Sequence, residues 1–166
     1  VENEPLFPFG VCPVQDIKFF EEEVLFVRAL DSSRPIVTTD SGEMSLWIAA
    51  GSQGDVFGTT MYKIVPWKLI GFVSYDFLPP SFYRKKSAIL KKLLPNLKDI
   101  IVVELQTEPY SGGVPINLDT LDRQFGRFSF ERFQKHIRYA RSVGYSQTYL
   151  WGVEWWAWLK NEANHP

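Results

Sequence analysis

A chain of 166 residues with a formal net charge of −1 can bury one sizeable core, and it lacks the cationic excess that binding a nucleic-acid backbone requires. Its single cysteine, Cys12, excludes an intrachain disulfide and a cysteine-rich zinc site. No apolar stretch reaches the roughly 18–20 residues of a membrane-spanning helix, while an aromatic content of 16%, including six tryptophans, supplies flat apolar surfaces of the kind on which sugar rings stack.

The chain opens on Val1-Glu2-Asn3-Glu4-Pro5, which reads as the end of a buried strand delivering a carboxylate. A natural terminus seldom lies inside a core strand, so the expectation is a C-terminal portion of a longer protein. Ile17, Phe20, Val24, Val27 and Leu30 recur at helical spacing and predict a helix over 16–30, ended by Asp31-Ser32-Ser33-Arg34-Pro35. Residues 35–39 read as a short strand that delivers Asp40-Ser41-Gly42-Glu43 to a loop. There Asp40 and Glu43 are candidates for binding substrate, and a turn or capping role is equally open to Asp40. A brief helix over 44–50 and a strand over 55–61 follow, the strand delivering Tyr62.

Residues 63–80 show no clear period but hold Trp67, Phe72, Tyr75 and Phe77. Long loops inside compact domains are usually functional or disordered, and so many aromatics argue against disorder. A helix over 81–94 carries Arg84, Lys85, Lys86, Lys91 and Lys92, expected as a solvated face. The most apolar strand, Ile100-Ile101-Val102-Val103, ends on Glu104, and an aperiodic stretch over 105–127 contains Gly112-Gly113. Ser129 is placed to cap a helix over 130–143 that Gly144 stops. On that helix Phe133, Ile137 and Ala140 face inward, and His136 is expected to be solvated. Residues 147–151 read as the last strand, before Trp155, Trp156, Trp158 and a short helix.

Strands alternating with helices predict a parallel sheet, here of about five strands, with the reactive side chains at its carboxyl ends. In α/β barrels that end carries the chemistry. A four-stranded open sheet of flavodoxin type would place its loops the same way, although no phosphate-cradling glycine loop is present.

Two glutamates at strand ends suit glycoside hydrolysis. The acid/base carboxyl needs a pKa raised by burial or a nearby negative charge, and the nucleophile needs donors that keep it ionised. Glu4, followed by Leu6 and Phe7, suits the first role; Glu104 suits the second, with Glu108 as a competing carboxylate. A carboxyl separation of about 5–5.5 Å implies retention, and roughly 6.5–9.5 Å implies inversion. No His/carboxylate pair has metal-ligand spacing, so this chemistry calls for no metal or other cofactor. Ser41-Gly42 lacks the flanking pattern of a nucleophile elbow.

Taken in order, Asn3-Glu4-Pro5, Tyr62, Val102-Val103-Glu104 and Trp151 resemble the motifs of the retaining glycosidases built on the (β/α)8 barrel. The likeness is closest to glycoside hydrolase family five and its cellulase-like relatives. It implies that residues 1–166 are the C-terminal portion of one TIM-barrel catalytic domain, from the fourth strand to the eighth. It further implies Glu4 as acid/base, Glu104 as nucleophile, Tyr62 hydrogen-bonded to the nucleophile and Trp151 as the floor of the sugar site. Asn3 and Glu108 join them as substrate-binding residues, for a β-linked oligo- or polysaccharide. After Glu104 the chain reads Leu105-Gln106-Thr107-Glu108-Pro109-Tyr110, where the family commonly has an aromatic and then Gly. A carbohydrate-binding protein without turnover, on the same fold, is the other function these residues admit.

Overall fold

The computed structural model describes residues 3–7, 14–67, 71–110 and 118–163. Val1, Glu2, Cys12, Gly112-Gly113 and His165 lie outside the described residues. Along the chain come α1 (Ile17–Leu30), β1 (Val37–Asp40), α2 (Ile48–Gly51), β2 (Val56–Met61), β3 (Ile64–Trp67), β4 (Gly71–Ser74) and α3 (Pro80–Leu93). Then follow β5 (Asp99–Gln106), α4 (Leu121–Arg127), α5 (Phe130–Val143), β6 (Thr148–Trp151) and α6 (Val153–Asn161). β1, β2, β5 and β6 form one sheet in chain order, with every neighbouring pair parallel.

Local chemistry sets the helix ends. The Asp16 side chain accepts from the Lys18 N–H to cap α1, and Pro80 opens α3 where a missing N–H costs nothing. Ser129 caps α5 through the Arg132 N–H, and Gly144 ends it in the left-handed region at φ 82. The helices meet the sheet through one shared core. Phe20 and Val24 of α1, Tyr83 and Leu90 of α3, and Ala140 and Val143 of α5 join Phe57, Met61, Ile100, Val102 and Leu105 of the strands. Trp47 sits among them, 1% exposed, with its ring 5.1 Å from Phe57.

One irregularity positions the chemistry. The pairing of β2 with β5 slips between Thr59 and Thr60, so Thr59 faces Val102 whereas Thr60 faces Glu104. Val103 is thus an extra residue, and such a bulge re-aims the side chains beyond it. Gly58 makes room for it, because a Cβ there would stand 2.5 Å from Val103 Cγ1. Beyond the bulge Leu105 returns to the helix-packed core, while Glu104 leaves it.

Several expectations change. Within the expected opening strand, residues 3–7 form bends and turns, so the described parallel sheet has four strands rather than five. Glu4 has φ 49, which an extended strand does not adopt. The aperiodic 63–80 stretch contains the antiparallel hairpin β3–β4, a two-stranded sheet of its own. β5 does not stop at Glu104 but runs to Gln106, and α4 ends the stretch read as a loop.

Replacing Gly58 with Ala should drive Val103 out of the bulge and lower stability by about 1–3 kcal/mol, as overpacking does. Urea unfolding monitored by tryptophan fluorescence would measure it. An unchanged midpoint would mean that Val103 moves aside freely.

Candidate active site

The carboxyl ends of β1, β2 and β5 and the segment 3–7 converge on two glutamates. Glu104, 8% exposed, accepts from the Tyr62 hydroxyl at 2.8 Å and from the Asn3 side chain. Asn3 is oriented for this by Thr39, whose hydroxyl donates to the amide oxygen at 3.4 Å and leaves the NH2 group for Glu104. The same Thr39 oxygen accepts from the Glu4 N–H at 3.0 Å and so ties the turn to β1. Glu4 Oε1 accepts from the Thr60 hydroxyl at 3.0 Å, and that hydroxyl accepts from the Gly42 N–H at 3.0 Å.

These environments load the two carboxyls differently. Burial pushes the Glu4 pKa up to about 7; the Thr60 hydroxyl opposes the rise, and the charges of Glu104, Asp40 and Glu43 add to it. Burial also raises Glu104, but two donors, Tyr62 and Asn3, hold its ionised form. The Tyr62 hydroxyl is itself pushed well above the ordinary phenol range, by burial and then by Glu104, so it remains a donor. The pair thus consists of one carboxyl inclined to keep its proton and one equipped to be an anion.

A third carboxylate stands beside them. Glu108 accepts from the Trp151 side chain, and its pKa is raised by burial and by Glu154 against that hydrogen bond. Trp151 is 43% exposed at the end of β6, so it is not a core residue. Gly152 is required here twice over: it has φ 116, and a Cβ would stand 2.5 Å from Glu108 Cβ. Tyr110 meets Tyr62 edge-on at 5.8 Å. The six residues to which the resemblance gives roles, Asn3, Glu4, Tyr62, Glu104, Glu108 and Trp151, therefore lie at one end of the sheet.

Gln106 is a polar group at the site that the sequence does not signal. Gln106, 1% exposed, accepts from the Lys63 and Ile64 N–H groups at 2.9 and 3.0 Å and donates to Ile64 O at 2.9 Å, tying the hairpin to β5. Asp40 accepts from Ser41 N and from the Ser45 hydroxyl, so its carboxylate closes the loop after β1. Lys86 is not part of a solvated face; its Nζ lies 4.0 Å from the centre of the Trp47 ring and donates to Gly42 O at 2.7 Å. His136 is not solvated either. It is 1% exposed, with Nδ1 2.8 Å from Gln106 O, and since a carbonyl only accepts, Nδ1 carries the hydrogen. Helical spacing assigned both residues to polar neighbours, whereas Lys86 is covered by Trp47 and the Gly42 loop and His136 by β5 and Phe128.

Among the described residues no group of three or more His, Cys, Asp or Glu could hold a metal ion, and no helix is long and apolar enough to cross a membrane. An apolar groove of about 760 Å3 runs past Phe125, Phe128, Phe133, Trp155 and Trp156, outside the carboxylate cluster. Comparison with protein-family models, with curated proteins and with solved structures finds no match to this chain.

Burial pushes the His136 pKa down to about 4, against its hydrogen bond to Gln106, from an ordinary value of 6.5. The native state then binds fewer protons than the unfolded chain below pH 6.5, so this residue's stabilisation is complete above 6.5 and is lost as pH falls towards 4. A His136→Gln variant, which keeps a donor for Gln106, should flatten that part of the stability–pH curve by up to roughly 3 kcal/mol. Identical slopes in urea titrations of both proteins would mean that the fold does not lower the His136 pKa.

Proposed function

We propose that the chain is the C-terminal part of a retaining β-glycosidase of the (β/α)8-barrel class, related to family five and its cellulase-like members. The observation that carries this reading is the unequal pair of glutamates: Glu104 held by Tyr62 at 2.8 Å and by Asn3, and Glu4 with its pKa pushed up to about 7 by burial. The barrel part is supported by strand order. A doubly wound sheet reverses its order at a switch point and takes helices on both faces. Here the strands follow chain order, and α1, α3 and α5 share a single core with them.

In the first step of the proposed mechanism a Glu104 oxygen attacks the anomeric carbon, the glycosidic C–O bond breaks, and the Glu4 proton passes to the leaving oxygen. In the second, Glu4 as carboxylate takes a proton from water, the water oxygen bonds to the anomeric carbon, and the ester bond to Glu104 breaks. Glu104 then regains the Tyr62 hydrogen bond as a full anion. Trp151 offers a half-exposed indole face to the sugar, and Glu108, hydrogen-bonded to the same side chain, offers acceptors for its hydroxyl groups. The substrate class is a β-linked oligo- or polysaccharide.

The test is hydrolysis of aryl β-glycosides by the full-length protein. Glu104→Ala should remove nearly all turnover, whereas Glu108→Gln should raise KM and keep the reaction. Glu4→Ala should harm poor leaving groups far more than activated ones and should be partly rescued by azide. In the wild type kcat/KM should fall as pH rises through about 7, where Glu4 loses its proton, and Glu4→Gln should abolish that limb. Sugar binding without hydrolysis by the wild type would replace the enzyme by a binding protein, and loss of turnover in Glu108→Gln alone would move the nucleophile.

A further inference from the structure

Glu43 takes no part in the steps above, yet the site is held together around it. It lies in the loop between β1 and α2, whose backbone is fixed on both sides. The Gly42 N–H donates to Thr60 Oγ1 at 3.0 Å, Lys86 Nζ donates to Gly42 O at 2.7 Å, and a Cβ on Gly42 would stand 1.9 Å from the Thr60 carbonyl oxygen. From this loop Glu43 Oε1 accepts the Tyr62 backbone N–H at 2.9 Å and the Tyr83 hydroxyl. Tyr62 in turn reaches Glu104 Oε2 at 2.8 Å. We propose that Glu43 is a positioning residue, clamping the backbone of Tyr62 so that its hydroxyl stays on the Glu104 carboxylate.

The surroundings say why a carboxylate stands here. Two donors converge on one oxygen, and charge-assisted bonds of this kind are shorter and stronger than those to a neutral acceptor. The groups that interact with it are Tyr83 and Lys86 from α3, Tyr62 and Lys63 after β2, Tyr139 from α5 and Glu4 from the opening turn. Burial pushes Glu43 up to about 7, and Tyr83, the Tyr62 N–H and Lys63 oppose the rise. Its charge is in turn one of those that raise Glu4. Glu43 therefore acts on both glutamates, on Glu104 by geometry and on Glu4 by charge.

The inference rests on the glycosidase reading for its kinetics but not for its geometry, so the experiment has two arms in the full-length protein. In the first, carbon-13 NMR titration follows the Glu104 carboxyl. Losing the Tyr62 donor should raise its pKa in Tyr62→Phe, and Glu43→Ala should raise it to a similar extent, whether or not any glycoside is hydrolysed. In the second, kcat for an aryl β-glycoside should fall about tenfold in each single variant, one hydrogen bond's worth. The double variant Glu43→Ala/Tyr62→Phe should be no worse than the poorer single, because both remove the same contact. Glu43→Gln keeps an acceptor for both donors and removes the charge, so it should retain most of kcat and shift the alkaline limb of the pH profile downwards. Because Glu43→Ala leaves two donors unpaired and can fail to fold, Glu43→Gln supplies a second decision through that limb. Multiplicative losses in the double variant, a Glu104 titration unmoved in Glu43→Ala, or an unshifted limb in Glu43→Gln would overturn the proposal. A wild type that hydrolyses nothing would overturn the glycosidase reading, and the titration would still decide the role of Glu43.

Discussion

The arrangement depends on acidic groups sharing a volume that water only partly reaches. Glu4, Asp40, Glu43, Glu104 and Glu108 all gather at the carboxyl end of one sheet, and burial is the largest influence on each, raising every one of them. Like charges in such a volume cannot all ionise at neutral pH, so the position of each donor decides which carboxyl holds a proton. Tyr62 and Asn3 favour the anion at Glu104, whereas burial outweighs Tyr83 and the Tyr62 N–H at Glu43 and the Thr60 hydroxyl at Glu4, and both of these are pushed up to about 7.

The fold maintains this distribution by close approach of backbone and side chain. Val103 bulges over Gly58, Gly42 lies against the Thr60 carbonyl, and Gly152 lies against Glu108; at each place a methyl group would collide. Behind the site a buried polar layer anchors the hairpin. Lys63, 2% exposed, donates to Tyr75 O and Leu78 O and lies 3.4 Å from the centre of the Tyr139 ring. Burial pushes its pKa down to about 8 against the charges of Glu43 and Asp76. Together with Gln106 it fixes the chain where it leaves β2, directly after Tyr62.

Much of this was legible in the sequence, and the reasons differ by residue. Ile17 to Leu30 and Phe130 to Val143 carry strong helical periodicity with a side-chain cap at the start, so their helices were found nearly residue for residue. Ile100 to Val103 announces a buried strand by composition alone, but its bulge and its continuation to Gln106 depend on Gly58 and on the hairpin, contacts that no local pattern encodes. The hairpin was missed because Pro66 and Gly71 break the alternation of its strands. Glu4 and Glu104 could be picked out by motif. Glu43 could be noticed but not assigned, because its importance comes from Tyr83 and Tyr62, residues that meet it only in the folded chain. His136 and Lys86 were misread for the same reason: charged sequence neighbours describe a helix face, and tertiary packing decides what covers it.

The central claim is that Glu104 forms a covalent bond to sugar. It is tested most directly by treating the full-length protein with a 2-deoxy-2-fluoro β-glycoside bearing an activated leaving group, which slows breakdown of a glycosyl–enzyme ester. Intact mass spectrometry should then show one added fluorosugar, and peptide sequencing should place it on Glu104. A label on Glu108, or no label during turnover that gives the inverted anomer, would contradict the account.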